Sequence, residues 1–345
     1  MKRVKTCLCF TMAAFIVGLC LWGCRNQNGY QRSGFMLGTI VELTAYGPKA
    51  EAAVEAGMDR IKEIEQLMSV NIKESDISRI NQNAGKGPVK IHKDTFNVIQ
   101  RGLYYSKITN GAFDISILPL VRLWGIGTDQ ARVPDEQEIS KVLPLVNYKN
   151  IILYPASLEV ELTKEGMALD LGGIAKGYAA DEVGQVFRQR GIKNAIINLG
   201  GDILLMGGKP DDALWKVGIQ NPFKPQGQYM AKVEVKDKAV VTSGDYERYF
   251  EQRGIRYHHI LDPVKGCPAR SGVISVSIIA EHPMDADALS TAVFVLGPDK
   301  GMELIEGLEN VEGIIIKNDR SVLFSSGLKK NFELTDKEFR LGEEG

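Results

Sequence analysis

Cysteine is scarce in this 345-residue sequence, and beyond residue 24 only Cys267 remains. A single thiol in that part of the chain cannot form an internal disulfide, so a buried core must stabilise the fold. An excess of one charge sign is also lacking, because 42 basic and 43 acidic residues are interspersed and leave a net charge of −1. The sequence therefore offers no basic patch for nucleic acid and no acidic tail of the kind that stays disordered.

Several motifs of metal-binding and nucleotide-binding proteins are missing too. No group of histidines and cysteines has the spacing of a zinc site. The Rossmann fingerprint and the Walker A loop are both absent. No internal repeat or low-complexity segment is present. These absences exclude the common zinc modules, the dinucleotide-binding Rossmann domains, the P-loop enzymes and the repeat proteins.

A long hydrophobic run spans residues 6–23 and follows a short basic start. This order is typical of an export signal, and the Leu-Trp-Gly-Cys that ends it resembles a bacterial lipobox. We expect a signal peptide at 1–23, lipid on Cys24 and a polar tether over 24–34. The protein would then be exported and lipid-anchored to a bacterial membrane, facing the periplasm or the cell exterior. An uncleaved signal anchor is the alternative, and it would also place the domain outside the cytoplasm.

Hydrophobic periodicity predicts an α+β chain. Residues 48–68 and 94–109 have helical spacing, residues 38–46 alternate like a strand, and 111–127 reads as an ordered loop with a short helix. The remaining predicted strands and helices are strands at 195–199, 203–206, 215–220, 230–235, 239–242, 256–261, 272–279, 313–317 and 321–325, and helices at 285–296 and 299–308. Because strands and helices are segregated along the chain, we expect mixed or antiparallel sheets with flanking helices. We assign residues 35–340 to one large domain in two lobes.

The turn Asp170-Leu-Gly-Gly-Ile-Ala-Lys176-Gly lies between an apolar run and a helical pattern. Two glycines let the backbone approach a ligand, and the free N–H groups of the helix's first turn can hold phosphate. Lys176 adds a cation inside that turn. The alternative is an ordinary strand-to-helix connection, which an isolated pair of glycines also satisfies.

Two further segments carry polar groups near predicted strands. The segment Asn198-Leu-Gly-Gly-Asp202 is typical of a hairpin turn. A backbone contact with a ligand is the less favoured interpretation. His258 and His259 are adjacent in a predicted strand, so they point to opposite faces and only one can serve a given site. A histidine in an apolar strand is as often a satisfied core residue as a functional one.

Asp287 and Thr291 are four residues apart in a predicted helix and so share one face. A carboxylate and a hydroxyl at this spacing can reach one hard cation, and Mg²⁺ is usually held by few protein ligands with water or phosphate completing its shell. Alternatively, Asp287 is only a favourable charge in the first turn of the helix.

Seven motifs in order resemble the ApbE family, the FAD:protein FMN transferases, which are often exported lipoproteins. The resemblance covers residues 35–327. The motifs are Leu37-Gly-Thr, Gly111-Ala-Phe-Asp114, Asp170-Leu-Gly-Gly-Ile-Ala-Lys176-Gly, Asn198-Leu-Gly-Gly-Asp202, Ser243-Gly-Asp-Tyr-Glu-Arg248, His259-Ile-Leu-Asp-Pro263 and Ala286-Asp-Ala-Leu-Ser-Thr291-Ala.

The resemblance implies transfer of FMN from FAD to a threonine of an acceptor flavoprotein, with Mg²⁺ bound and AMP released. It implies that His259 is the base and that His258 is structural. The metal ligands would be Gly173, Asp287 and Thr291. The residues implied to bind the cofactor are Leu37, Asn71, Ala112, Phe113, Asp114, Asp170, Lys176 and Ile260. The implied acceptors are threonine-containing subunits of membrane redox complexes.

The chain departs from the family pattern at two places. Many relatives read Met-Gly-Thr where this sequence has Leu37-Gly-Thr, with Met36 one place earlier. Asn71 stands where many relatives carry a tyrosine, which stacks better on a flat ring. We therefore expect looser retention of FAD and keep a Mg²⁺-dependent FAD pyrophosphatase, giving FMN and AMP, as an alternative. A non-enzymatic flavin-binding lipoprotein is a second alternative, and a plain solute-binding lipoprotein ranks last.

Overall fold

The computed structural model describes residues 29–342. Its α-helices are α1 Ala50–Met68, α2 Asp76–Gln82, α3 Lys93–Ile108, α4 Leu118–Trp124, α5 Glu136–Val142, α6 Ala175–Gln189, α7 Pro283–Leu296 and α8 Pro298–Glu306, with short 3-10 helices at Leu143–Leu145, Tyr148–Asn150 and Ser326–Leu328. Among these helices none combines the length and the low polarity that a membrane crossing requires.

The strands of the same part of the chain are β1 Gly29–Met36, β2 Thr39–Tyr46, β3 Val89–Lys90, β4 Ile151–Tyr154, β5 Glu159–Leu162, β6 Ala195–Leu199, β7 Asp202–Met206, β8 Trp215–Gln220, β9 Tyr229–Val235, β10 Lys238–Gly244, β11 Tyr249–Gln252, β12 Ile255–His258, β13 Leu261–Asp262, β14 Cys267–Pro268, β15 Val273–Ala280, β16 Glu312–Lys317, β17 Ser321–Phe324, β18 Phe332–Leu334 and β19 Arg340–Leu341. Nine of them form one sheet in the order β1-β2-β6-β7-β10-β15-β16-β17-β19. The neighbours are antiparallel except β17 and β19, which are parallel. The mixed α+β architecture predicted from the sequence is confirmed.

The nine-stranded sheet is covered on both faces. On one face α1, α6 and α7 bury their apolar sides in the largest core, which includes Ile61, Phe187 and Phe294. On the other face the small sheet β18-β9-β8 builds a second core around Trp215 and Val217. Strand β15 is buried along its whole length because it lies under both layers.

A third, smaller core joins the loops at one end of the sheet. Leu120 and Trp124 of α4 pack against Leu261, and Tyr257 of β12 lies beside this group. The indole N–H of Trp124 donates to the carbonyl of Gly266 at 2.8 Å. This cluster fixes the segment that carries both adjacent histidines relative to α4.

The structure differs from the sequence-based elements at specific places. Helices α2 and α5 and strands β1, β3, β4 and β5 were not predicted. Residues 29–34, assigned to a polar tether, belong to β1, which pairs along its full length with β2. Cys24 and the predicted signal peptide lie outside the described residues.

Candidate active site

The turn that begins at Asp170 is fixed by hydrogen bonds from three parts of the chain. Asn81 of α2 clamps Leu169 through its side-chain amide, accepting from the Leu169 N–H at 2.6 Å and donating to its carbonyl at 3.0 Å. The Asp170 N–H donates to the carbonyl of Ile115 at 2.8 Å. Its carboxylate accepts from the Gly172 N–H at 2.8 Å and so shapes the turn that leads into α6.

Helices α6 and α7 meet at a glycine. A Cβ on Gly177 would lie 2.3 Å from the Pro283 carbonyl oxygen, so no larger residue fits this crossing. The contact brings the first turn of α7 against the first turn of α6. The Gly177 N–H donates to a carboxylate oxygen of Asp287 at 3.0 Å. Asp181 of α6 accepts from the Met284 N–H at 3.1 Å and supports the same arrangement.

One lysine bridges two buried carboxylates at this crossing. Lys176 hydrogen-bonds Asp202, and its Nζ lies 3.3 Å from Oδ1 of Asp287. Burial, together with the negative charge of Asp287, raises the pKa of the Asp202 carboxyl, although the Lys176 ammonium opposes this shift. Burial alone would lower the pKa of Lys176, but the two carboxylates raise it, so the lysine stays charged.

The three residues expected to bind a metal lie close together. A Cβ built on Gly173 would lie 3.4 Å from the Thr291 hydroxyl oxygen and 3.2 Å from the Phe113 ring. Thr291 follows Asp287 by one helical turn on α7. Within residues 29–342 no group hydrogen-bonds the Thr291 hydroxyl, which leaves it free for a ligand. A carbonyl, a carboxylate and a hydroxyl are hard oxygen donors, and this set fits Mg²⁺.

This set contains one carboxylate. Throughout the described part of the chain no three or more His, Cys, Asp or Glu side chains are grouped so that they could hold a metal ion. A cation at Asp287 would complete its shell with the backbone, the hydroxyl and oxygen atoms of water or substrate, as Mg²⁺ commonly does.

His259 lies in a break between strands. The predicted strand 256–261 is wrong in extent, because β12 ends at His258 and β13 starts at Leu261. The backbone carbonyl of Arg248 accepts from the His259 N–H at 3.0 Å and from its ring Nδ1 at 3.3 Å. Nδ1 therefore carries the proton, and Nε2 has its lone pair available. Burial, aided by the Arg248 charge, lowers the pKa of His259 to about 4.

His258 turns away from His259 into the core, as the alternation of a strand requires. Its Nε2 donates to the carbonyl of Ala269 at 2.9 Å, and its ring meets the edge of Phe294 at a centroid distance of 5.3 Å. Burial lowers the pKa of His258. The ring is thus bonded through Nε2, while Nδ1 is buried without a hydrogen-bond partner in the described part of the chain.

Two residues expected to contact the cofactor have side chains engaged within the protein. The buried Asp114 carboxylate accepts from Ser116, through both its N–H and its hydroxyl, and from the Tyr148 N–H at 2.9 Å. It therefore holds the loop that carries Ala112 and Phe113, both buried. The Ile260 side chain packs in the main core, and its carbonyl accepts from the Ala269 N–H.

Leu37 occupies the turn between β1 and β2. Its φ of 53° and the 69° of Gly38 give the left-handed pair that a two-residue hairpin turn needs. The Leu37 N–H donates to Glu65 of α1 at 2.7 Å. On the next strands Gly200 approaches Thr39 so closely that a Cβ would lie 2.2 Å from its hydroxyl. The two hairpin turns therefore lie side by side, which brings Leu37 to the same end of the sheet as Asp202.

A cleft of about 320 Å³ opens beside the Asp170 turn, lined by Val70, Asn71, Lys73, Ser78, Asn81, Gln82 and Arg122. Asn71 is exposed there, so its side chain is available to a ligand. Burial raises the pKa of Asp170, while the nearby charges of Arg248 and Arg122 partly offset the shift. Sequence reasoning did not select Arg122, Arg248 or Asp202 as site residues. Arg248 and Asp202 belong to two of the ApbE-like motifs. The sequence around Arg122 gives no such signal, because an arginine in a helical segment is usually exposed to solvent.

The ApbE family model matches residues 37–315, which include every site residue described above. The chain belongs to the ApbE family. A Treponema pallidum (strain Nichols) protein named FAD:protein FMN transferase is 35% identical over 342 residues, covering 94% of each chain. A Klebsiella pneumoniae (strain 342) protein of the same name is 36% identical over 316 residues, covering 92% of this chain and 98% of that one. The crystal structure of the Thermotoga maritima ApbE protein superposes with a TM-score of 0.81 at 36% identity, covering 88% of this chain and 98% of that one.

Proposed function

We propose that this protein is an FAD:protein FMN transferase, an enzyme that moves FMN from FAD to a threonine hydroxyl of an acceptor protein and releases AMP. Its relatives in Treponema pallidum and Klebsiella pneumoniae carry that name at 35% and 36% identity. The observation that supports the chemistry best is the meeting of α6 and α7. There Asp287 contacts Lys176 and Gly177 in the first turn of α6, and Thr291 lies beside Gly173 just before that turn.

In this proposal the first turn of α6 and Lys176 bind the pyrophosphate of FAD. The N–H groups of Ala175 and Gly177 are already bonded, to the Leu171 carbonyl and to Asp287, so the attraction would come from the dipole of α6 and from a charge-assisted contact with the ammonium. Gly173, Asp287 and Thr291 would hold Mg²⁺. When bound, this cation would partly neutralise the negative charge of the pyrophosphate and so reduce its repulsion of an incoming hydroxyl.

His259 accepts the proton of the attacking hydroxyl in this scheme. Its low pKa keeps the imidazole neutral near pH 7, and the Arg248 carbonyl holds Nδ1 so that Nε2 is the accepting atom. The threonine oxygen forms a bond to the FMN phosphorus, and the phosphorus–oxygen bond to AMP breaks. AMP leaves with that electron pair, and the proton of the hydroxyl passes to His259.

Hydrolysis of FAD to FMN and AMP is the second candidate, because water can replace the threonine at the same site. The exposed Asn71 in the cleft favours it, since an asparagine offers a flavin or adenine ring less stacking surface than an aromatic residue. Loosely held FAD in an open cleft is more accessible to water.

We also propose that the mature protein is attached to a membrane by lipid on Cys24 and acts outside the cytoplasm on subunits of membrane redox complexes. The hydrophobic run at 6–23 and the following cysteine support this. Replacing Cys24 with alanine should move the protein from the membrane fraction to the soluble fraction. A protein that fractionates identically with and without Cys24 would contradict the lipid anchor.

The metal set is tested by Asp287→Asn and Thr291→Val in assays of FAD turnover with Mg²⁺. We expect AMP release to fall about a hundredfold or more in Asp287→Asn, since the cation contributes several kcal/mol to such reactions. Asp299→Asn is the matched control, because Asp299 is an exposed first-turn carboxylate on the neighbouring helix α8. Wild-type turnover in both site variants would remove the basis of the proposal.

A further inference from the structure

Two buried carboxylates at the site share one basic partner. Asp202 and Asp287 are each 3% exposed and come from distant parts of the chain, a hairpin of the large sheet and helix α7. Within residues 29–342 the only basic side chain that pairs with either of them is Lys176. Like charges that are buried together repel strongly, so the Lys176 ammonium stabilises both carboxylates in their charged form.

The two contacts of Lys176 are unequal. Lys176 hydrogen-bonds Asp202, whereas the 3.3 Å between Nζ and Oδ1 of Asp287 lies just beyond the usual range of an N–H···O bond. Asp287 has a second stable partner in the Gly177 N–H. Lys176 can therefore turn away from Asp287 while it keeps its bond to Asp202, and Asp287 is not left without a hydrogen bond when this happens.

Asp202 is well placed to hold the lysine during such a movement. It starts β7 directly after the tight Gly200-Gly201 turn, whose φ angles of 69° and 100° favour glycine. The carboxylate thus sits on the rigid end of a sheet hairpin. The side chain of Lys176 is 24% exposed, so it also reaches the solvent-facing region where a phosphate would lie.

From these contacts we propose that Lys176 acts as a resident counter-cation of Asp287 that lowers the affinity for the metal until the pyrophosphate of FAD attracts the ammonium away. Asp202 is the positioning residue that keeps Lys176 close in both arrangements. Metal and nucleotide then bind interdependently, and each raises the affinity for the other by the same factor. This inference rests on the proposed function, since it takes the metal and the pyrophosphate to share this site.

The test measures Mn²⁺ binding to the purified nucleotide-free protein by electron paramagnetic resonance. Lys176→Met should bind Mn²⁺ about tenfold more tightly than the wild type, because a positive charge next to the ligand is removed. Asp202→Asn should bind it more weakly, because the lysine loses its hydrogen-bonded partner, and Asp287 and Glu247 are then the carboxylates that attract it. Lys176→Arg keeps the charge and should stay near the wild-type affinity.

Lys224→Met is the matched control, since Lys224 lies between β8 and β9 and pairs with Asp336, and its Mn²⁺ affinity should not change. Thermal melting of each variant shows that it is folded. A second readout is the ratio of FAD affinities with and without Mg²⁺, followed by flavin fluorescence. This ratio should be smaller in Lys176→Met than in the wild type.

The inference is overturned if folded Lys176→Met binds Mn²⁺ no more tightly than the wild type, or if the ratio of FAD affinities is unchanged. Asp287→Asn separates this failure from failure of the proposed function. Loss of Mn²⁺ binding in Asp287→Asn without tightening in Lys176→Met would reject only the counter-cation. Unchanged Mn²⁺ binding in Asp287→Asn would reject the metal site itself and the proposed function with it.

Discussion

Gly177 of α6 lies directly against Pro283 of α7, where a Cβ would come within 2.3 Å of the carbonyl oxygen and 2.6 Å of the Met284 Cα. Backbone atoms cannot move aside as a flexible side chain can. This contact sets the distance between the turn that begins at Asp170 and the helix that carries Asp287. The position of the site therefore depends on the absence of a Cβ atom at Gly177.

We predict that Gly177→Ala lowers the free energy of unfolding by about 1–3 kcal/mol and reduces FAD turnover sharply, because the helices must separate. Chemical denaturation and AMP release measure the two effects. Gly184→Ala on the same helix is the matched control, since its added Cβ meets mainly the end of the Leu204 side chain at 3.0 Å. Equal behaviour of the two variants would show that the crossing does not position the site.

Asn71→Tyr should retain FAD more tightly than the wild type. A ring at the cleft can stack on the flat cofactor, which is worth about 1–3 kcal/mol per base in nucleic-acid complexes. Titration with FAD under non-hydrolysing conditions measures the change, and Asn71→Ser serves as the control for loss of the amide. Tighter binding should also reduce the free FMN formed in the absence of acceptor. An unchanged dissociation constant in Asn71→Tyr would exclude Asn71 from the flavin site.

Replacing His259 with glutamine should lower turnover by about 10²–10⁴-fold, the usual range for loss of a general base, and leave FAD binding nearly intact. Because burial lowers the pKa of His259 to about 4, the wild-type enzyme should keep its base neutral down to about pH 5. His92→Gln is a control on an exposed histidine that caps α3. A wild-type rate in His259→Gln would assign the proton transfer to another group.

The buried His258 should make the protein less stable at mildly acidic pH. Its folded-state pKa is lowered from 6.5, so as the pH falls below 6.5 the unfolded chain binds a proton that the folded chain does not. The contribution of His258 to the free energy of unfolding should therefore fall with pH in that range, so acidification should destabilise the wild type more than His258→Gln. Urea unfolding at several pH values between 5 and 7.5 measures the slopes. Identical slopes in the two proteins would mean that His258 titrates normally when folded.

The hydrophobic pattern was enough to predict most of the central sheet, because strands such as β6 and β15 alternate or run apolar over their length. It failed at β1. Most residues of Gly29–Met36 are exposed, so their sequence has no buried face and resembles a polar tether. Its strand conformation comes from pairing with β2, and that pairing leaves no periodic signal in the sequence.

Motifs selected Asp170, Lys176, Asp287 and Thr291 as candidate site residues, and the structure brings Lys176 into contact with Asp287. What they could not show is which polar groups are already satisfied. The Asp114 carboxylate is engaged with Ser116 and Tyr148, thirty-four residues away in the latter case. Such partners depend on how distant loops pack, and spacing along the chain does not encode them.

The most direct test of the proposed transfer is mass spectrometry of an acceptor flavoprotein after incubation with this enzyme, FAD and Mg²⁺, with AMP measured in the same sample. Transfer predicts FMN attached to one threonine of the acceptor and an equal amount of AMP, both lost in Asp287→Asn. Free FMN and AMP with an unmodified acceptor would contradict transfer and establish hydrolysis as the reaction of this site.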